Sequence, residues 1–302
     1  MPSYSTARTI AAPFTLKGTG LHGNKPCSVT VEPAQSGGLR FLHAPSGVEI
    51  PALARHAECD LTLATALSKD GARLQTVEHL LAALSGMGVD HALIVSDGGE
   101  FPILDGSAGP WARAIARVGL RDLSAPRSYV KVLKEVRITQ ANRHIAVEPC
   151  DGFAISYTID FPCRSIGRQS LELAVTPEGF LHELADARTF CMKRDIDMMQ
   201  SHGLALGGSL ENAIVFDDDR CLNEPLRFLN EAVRHKALDL VGDLALLGAP
   251  LLGHVEAFAA GHALHVELAK KLLATPDAWT METAQMPKKI GQGAYRPDSR
   301  TA

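Results

Sequence analysis

The chain has 302 residues, about twice the usual domain size, so two domains with cores of their own are expected. Hydrophobic residues make up 46% and charged residues 21%, as in an ordinary soluble globular protein, and a net charge of −4 excludes a surface built to hold nucleic acid. The six cysteines form no CxxC pair, which excludes a zinc ribbon or thioredoxin-like site and fits a reducing compartment. Met1 to Thr15 lack the basic and apolar regions of a signal peptide, and the most apolar stretch, Leu244 to Gly253, is too short to span a bilayer. A cytoplasmic location is therefore expected.

In chain order, Ser28 to Pro33 reads as a strand ending at a proline turn, and Leu39 to Phe41 as a second, short strand. Thr76 to Leu84 has helical spacing, stops at Gly86-Met87-Gly88 and leads into a strand at His91 to Val95. A link follows near Leu123 to Arg127. The same order then returns. His144 to Pro149 is a strand, Asp151-Gly152 a turn, and Phe153 to Ile159 a strand. A helix from Ala232 to Leu247 stops at Gly248-Ala249-Pro250 and leads into Leu251 to Phe258. Both copies carry Val-Glu-Pro, and on this alignment His79 and His235 take equivalent places. The second copy has extra residues, for which Arg188 to Gly208 is the best candidate. We read an α+β protein with an N-terminal domain over 1–125, a C-terminal domain over 128–275 and a polar tail over 276–302.

On the second helix His235, Asp239 and Asp243 recur at i, i+4 and i+8 and so share one face. The repeat brings Glu78-His79 of the other helix to that face. Two imidazoles and a carboxylate, His79, His235 and Asp239, are the ligand set of a catalytic zinc with one position left for water. Zinc lowers the pKa of such a water toward about 7, and Glu78 is placed to take its proton. His262 stands where the last strand turns into the last helix, and Asp243 can compensate its charge there. The other histidines, His22 and His265 included, read as surface or core residues.

Six separated blocks now carry a resemblance. They are Gly18-Thr19-Gly20-Leu21-His22-Gly23, Thr76-Val77-Glu78-His79-Leu80, Pro102-Ile103-Leu104-Asp105-Gly106-Ser107-Ala108, Asp186-Ala187-Arg188-Thr189-Phe190, Arg234-His235-Lys236 with Asp239 and Gly242-Asp243, and Gly261-His262-Ala263-Leu264. In this order, from about residue 4 to 274, the chain resembles the UDP-3-O-acyl-N-acetylglucosamine deacetylases, zinc amidases that perform the committed step of lipid A synthesis. The resemblance implies two similar domains with helices packed between their sheets, each with an insert. It implies one zinc ion on His79, His235 and Asp239, with Glu78 as general base. His262 is implied as general acid, Asp243 as the carboxylate that orients it, and Thr189 and Lys236 as groups near the developing oxyanion. Phe190 is implied beside the glucosamine, with Asp160 and Phe161 on the uridine side.

Three stretches depart from the family pattern: Pro162 to Ser165, Ala260 in place of a common lysine, and His265 where asparagine is common. Within the insert, Met192, Ile196 and Met199 fall at i, i+4 and i+7, an apolar stripe suited to a flexible acyl chain. The expected partner is the UDP-linked acylated glucosamine, met by a monomer that touches the inner membrane surface only transiently and binds no nucleic acid. The rival readings are a zinc amidase for another N-acetylated sugar, and a non-catalytic binding protein whose His235 and Asp239 are merely a polar helix face.

Overall fold

The computed structural model describes residues 5–58, 63–223 and 225–285. The first half builds a five-stranded sheet in the order Phe14–Thr19, Pro26–Pro33, Ala92–Ser96, Leu39–His43, Val48–Pro51. Alternation sets its inner face: along Pro26–Pro33, Cys27, Val29 and Val31 are buried while their neighbours are not. The second half repeats the order with Val136–Gln140, Arg143–Glu148, Leu251–Phe258, Phe153–Asp160 and Arg168–Ala174. The strand senses repeat as well. In both sheets the third strand runs antiparallel to the second and parallel to the fourth. Val31 pairs with Ile94 and Val147 with Val255, so the two Val-Glu-Pro segments occupy the same register. The α+β class and the internal duplication are therefore features of the fold.

The helices are α1 (Glu78–Gly86), α2 (Gly109–Val118), the single turn α3 (Pro177–Gly179), α4 (Ile196–Ser201), α5 (Glu231–Leu244) and α6 (His262–Leu273). In the first half α1 precedes the central strand Ala92–Ser96 and α2 follows it; α5 and α6 stand in the same relation to Leu251–Phe258. Apart from Ser85, every residue of α1 is buried, as a helix apolar on all sides requires. It packs on α2 and α5, and α5 packs in turn on α6 and on the strands Phe153–Asp160 and Arg168–Ala174.

The structure shifts one sequence correspondence. A glycine in the left-handed conformation closes each unit, Gly88 at φ 78° and Gly248 at φ 85°. Counting nine residues back from each gives His79 and Asp239, not His79 and His235. The displacement is four residues, about one helical turn, so it leaves the face unchanged and His235 still meets His79.

Where α1 crosses α5 the backbones nearly touch. A Cβ on Gly242 would overlap the Glu78 carbonyl oxygen and lie 3.1 Å from the Ala82 nitrogen. Backbone cannot move aside as a side chain can. Gly242→Ala is therefore expected to cost about 1–3 kcal/mol of stability and to lower activity by displacing Glu78, read as a reduced denaturant midpoint beside reduced turnover.

Other differences concern edges. At the expected link, Leu120–Pro126 is a strand paired antiparallel with Thr6–Ile10. The expected polar tail begins later than Pro276, since Trp279–Thr283 adds a strand beside Ser128–Val132; residues 286–302 lie outside the described residues. The first half holds an insert of its own, the hairpin Ala66–Lys69 with Ala72–Gln75. In the second, the segment after α3 and a π-helical stretch, Phe180–Leu184, forms the parallel pair Phe190–Met192 and Ile214–Phe216 with α4 between. Met192 is thus a strand residue paired with Phe216, not the first turn of a helix, and the expected helical stripe begins only at Ile196. Among the described residues no helix is long and apolar enough to cross a membrane.

Candidate metal centre and active site

The crossing of α1 and α5 floors a cavity of about 340 Å³ with Glu78, His79, His235, Lys236 and Asp239, and His262 completes it from the start of α6. Glu78 and His79 are the first two residues of α1, released by Thr76, whose φ of 61° turns the chain sharply into the helix. His235 and Asp239 lie one turn apart on α5. The ligand atoms of His79, His235 and Asp239 all fall within 4.8 Å of one another, and all three residues are buried.

Asp239 shows what this cluster is for. Its Oδ2 accepts a hydrogen bond from the Lys236 ammonium at 2.7 Å. Its Oδ1 is buried with no hydrogen-bond partner and lies 3.3 Å from His235 Nε2 and 3.8 Å from His79 Nε2. His235 Nδ1 is 3.0 Å from the Ala187 carbonyl, to which it donates, so the lone pair of Nε2 faces the orphaned oxygen. Burial, with the neighbouring His235 ring, holds His79 neutral by pushing its pKa down to about 3. Burial likewise lowers His235. Asp239 stays ionised despite its burial, because the charges of Lys236 and His262 hold its carboxyl well below the ordinary range. A lone pair of His235 and a carboxylate oxygen converging without a proton between them, beside the neutral ring of His79, repel each other unless a cation joins them. The donor set fits zinc, which takes nitrogen and carboxylate ligands and keeps a position open in catalytic sites.

Around this centre stand three further groups. Burial, with the charges of Asp239 and Asp243, lifts Glu78 to about 8 although His262 opposes the rise. Burial works against the charge on His262, but Asp243 and Asp239 outweigh it and raise the ring to about 9. Its Nδ1 donates to Asp243 Oδ2 at 2.9 Å, leaving Nε2 turned toward the cavity, 3.7 Å from Asp239 Oδ2. Lys236 is kept cationic by Asp239 in spite of burial.

The cavity also holds Thr189, Phe190, Phe161, Met192 and Met199. Thr189 N–H donates to the Gly106 carbonyl at 2.7 Å, which ties its strand to the first half of the chain. Phe190 lies edge-on to Phe161 and Phe216, with centroids 5.5 and 5.9 Å away. Two expected site residues fall elsewhere: Asp160 is exposed beside Arg168, and Ile196 does not line the cavity. Asp243 does not line the cavity either but sits behind His262, where a carboxylate that orients that ring belongs.

Reading the sequence missed Thr65 and His22. From just before the first-half hairpin, Thr65 N–H donates to Glu78 Oε2 at 3.0 Å and its hydroxyl donates to Asp243 Oδ1. Its contact with Asp243 spans 178 residues, a separation that leaves no local sequence signal. His22 is buried, lines the cavity, and has a ring Nε2 with no hydrogen-bond partner. The Gly-Leu-His-Gly block was the available signal. A second cleft of about 420 Å³ opens beside Gly88 and Gly248 but contains none of the clustered ligand residues.

Known proteins share the sequence over nearly its whole length. The sequence pattern of the UDP-3-O-acyl N-acetylglycosamine deacetylases matches residues 7–274. A protein of Anaeromyxobacter dehalogenans (strain 2CP-C) is 46% identical over 273 residues, covering 90% of this chain and 88% of its own. One of Myxococcus xanthus (strain DK1622) is 41% identical over 97% of this chain and 94% of its own. One of Haemophilus influenzae (strain 86-028NP) is 38% identical over 96% of this chain and 97% of its own. All three are named UDP-3-O-acyl-N-acetylglucosamine deacetylase.

Proposed function

The chain belongs to the UDP-3-O-acyl N-acetylglycosamine deacetylase family, and from that premise we propose that it hydrolyses the 2-acetamido group of a UDP-linked, 3-O-acylated glucosamine. The products are the free amine and acetate, in the route to lipid A. The observation that carries the reading is the buried, unpartnered Oδ1 of Asp239 facing two imidazole nitrogens.

His79, His235 and Asp239 would hold zinc, which when bound supplies Lewis acidity toward water and toward the amide carbonyl. Glu78 takes the proton of the attacking water, its carboxylate steadied by the Thr65 N–H. The Lys236 ammonium and the Thr189 side chain lie on the cavity wall, where they offset negative charge developing on the amide oxygen. As the C–N bond breaks, His262 Nε2–H gives its proton to the leaving amine, and Asp243 keeps the ring aimed. Phe190 and Phe161 offer aromatic faces to the sugar, and Met192 and Met199 offer apolar surface to the acyl chain. The test is a metal assay on the purified protein combined with acetate release from the acylated UDP-sugar. Stoichiometric zinc with acetate release supports the proposal; a metal-free inert protein supports the binding-protein rival.

Two further results are expected. Glu78 must lose its proton to act and His262 must keep its own. With pKa values of about 8 and about 9, kcat/KM should rise with pH through the ionisation of Glu78 and fall through that of His262. His262→Ala should depress the maximum and alter chiefly the alkaline limb; an unchanged alkaline limb would transfer the acid role to Glu78.

The second result concerns the acyl chain. Met199→Arg sets a charge on the apolar wall and should reduce kcat/KM for a long-chain substrate on the order of 100-fold, but only a few-fold for one shortened by eight carbons. Equal losses at both lengths would mean that Met199 packs only against protein.

A further inference from the structure

Behind His262 the polar chain continues past Asp243 to His265 and Tyr157, which the steps of deacetylation leave unused. Asp243 is fully buried and accepts three hydrogen bonds. Oδ2 takes His262 Nδ1 at 2.9 Å and His265 Nδ1 at 2.8 Å, while Oδ1 takes the Thr65 hydroxyl. The other nitrogen of His265, Nε2, lies 2.9 Å from the Tyr157 hydroxyl, which also stands 2.9 Å from the Ala260 carbonyl oxygen. Tyr157 and His265 are each 0% exposed. Ala260 follows Ala259, at φ 48°, in the turn that delivers His262 as the first residue of α6. Tyr157 therefore fastens the strand Phe153–Asp160 both to this turn and to the ring that grips Asp243.

Stability alone does not call for this pair. Two fully buried positions facing each other are satisfied as well by apolar residues of the same shape, and polar ones are kept at no cost only when paired. What a phenylalanine and a leucine could not do is hold a carboxylate. The terminal torsion of an aspartate is soft, so one donor on Oδ2 leaves its plane free to turn. A second donor, from a histidine one turn along α6, narrows that freedom.

We propose that His265, seated on Tyr157, is a positioning residue for the deacetylation: it holds the Asp243 carboxylate in the orientation that aims His262 into the cavity. The proposal rests on the deacetylase reading above. It also gives a physical role to a position where the sequence departs from the family pattern.

The test is steady-state acetate release from the acylated UDP-sugar by the zinc-loaded full chain, with zinc content and melting temperature as controls. His265→Leu removes both hydrogen bonds. His265→Asn restores an N–H near the place of Nδ1 and keeps the bond to Asp243. His265→Leu is expected to lower kcat on the order of 10–100-fold at full zinc content, with KM changed by about twofold or less. His265→Asn should recover kcat to within about threefold of the parent, and His265→Leu should lower it no further in a His262→Ala background. Tyr157→Phe should lower kcat in the same direction by a smaller factor, which keeps the test open if His265→Leu does not fold. The proposal is overturned if His265→Asn is as slow as His265→Leu, if kcat does not change, or if the loss persists undiminished without His262. A parent enzyme that releases no acetate overturns the deacetylase reading itself, whereas an active parent with any of those outcomes overturns the positioning role alone.

Discussion

Asp239→Ala is expected to abolish stoichiometric zinc binding and deacetylation together. The residue supplies the one anionic oxygen of the cluster, Oδ1, which no proton donor of the protein satisfies. Without it two neutral imidazoles remain, an incomplete site for zinc. The substitution also strands the Lys236 ammonium, whose hydrogen bond at 2.7 Å goes to the same carboxylate. A half-buried cation then stands beside the place where zinc would bind, and its repulsion deepens the loss. The expected activity is at least about a thousandfold below the parent, with metal analysis showing well under one zinc per chain. Full zinc content in this variant would dismiss Asp239 as a ligand.

Glu78→Gln separates the two properties that Asp239→Ala removes together. Glu78 is not one of the clustered ligand residues, and glutamine keeps its shape and an oxygen for the Thr65 N–H. Zinc should therefore remain at one per chain. Proton transfer at that carboxylate disappears, so kcat should fall on the order of 10²–10⁴-fold with KM little altered. The pair of variants has a sharp reversed outcome: loss of zinc from Glu78→Gln and its retention in Asp239→Ala would exchange the roles assigned to the two residues.

What could be read from the sequence followed the range of the interactions. The face carrying His235, Asp239 and Asp243 was legible because helical spacing is local. The duplicated fold was legible because each copy repeats Val-Glu-Pro, a helix and a glycine stop, and the observed strand order repeats with them. The exact pairing of the copies was not, since one extra turn of α5 slides His235 past the place of His79 without altering the face. Met192, Ile196 and Met199 matched a helical period, yet a strand pairing with Phe216 claimed Met192, a decision made 24 residues away. Thr65 and His265 were invisible for the same reason. A threonine just before a short hairpin and a histidine inside an apolar helix gain meaning only when Asp243 arrives between them.

The repeated scaffold bears on how such a site can exist at all. In a symmetric dimer of one unit, every residue at the shared face appears twice, so a histidine opposite an aspartate on one side of the axis demands the same pair on the other. Here both units lie on one covalent chain, and the position nine residues before the closing glycine holds His79 in one and Asp239 in the other. The position before it holds Glu78 in one and Leu238 in the other. The symmetry survives in the strands, where only shape matters, and is broken at the helix crossing, where one unit contributes Glu78 and His79 and the other His235 and Asp239. A single lopsided cluster, drawing unlike residues from its two sides, is something two identical halves could not have built.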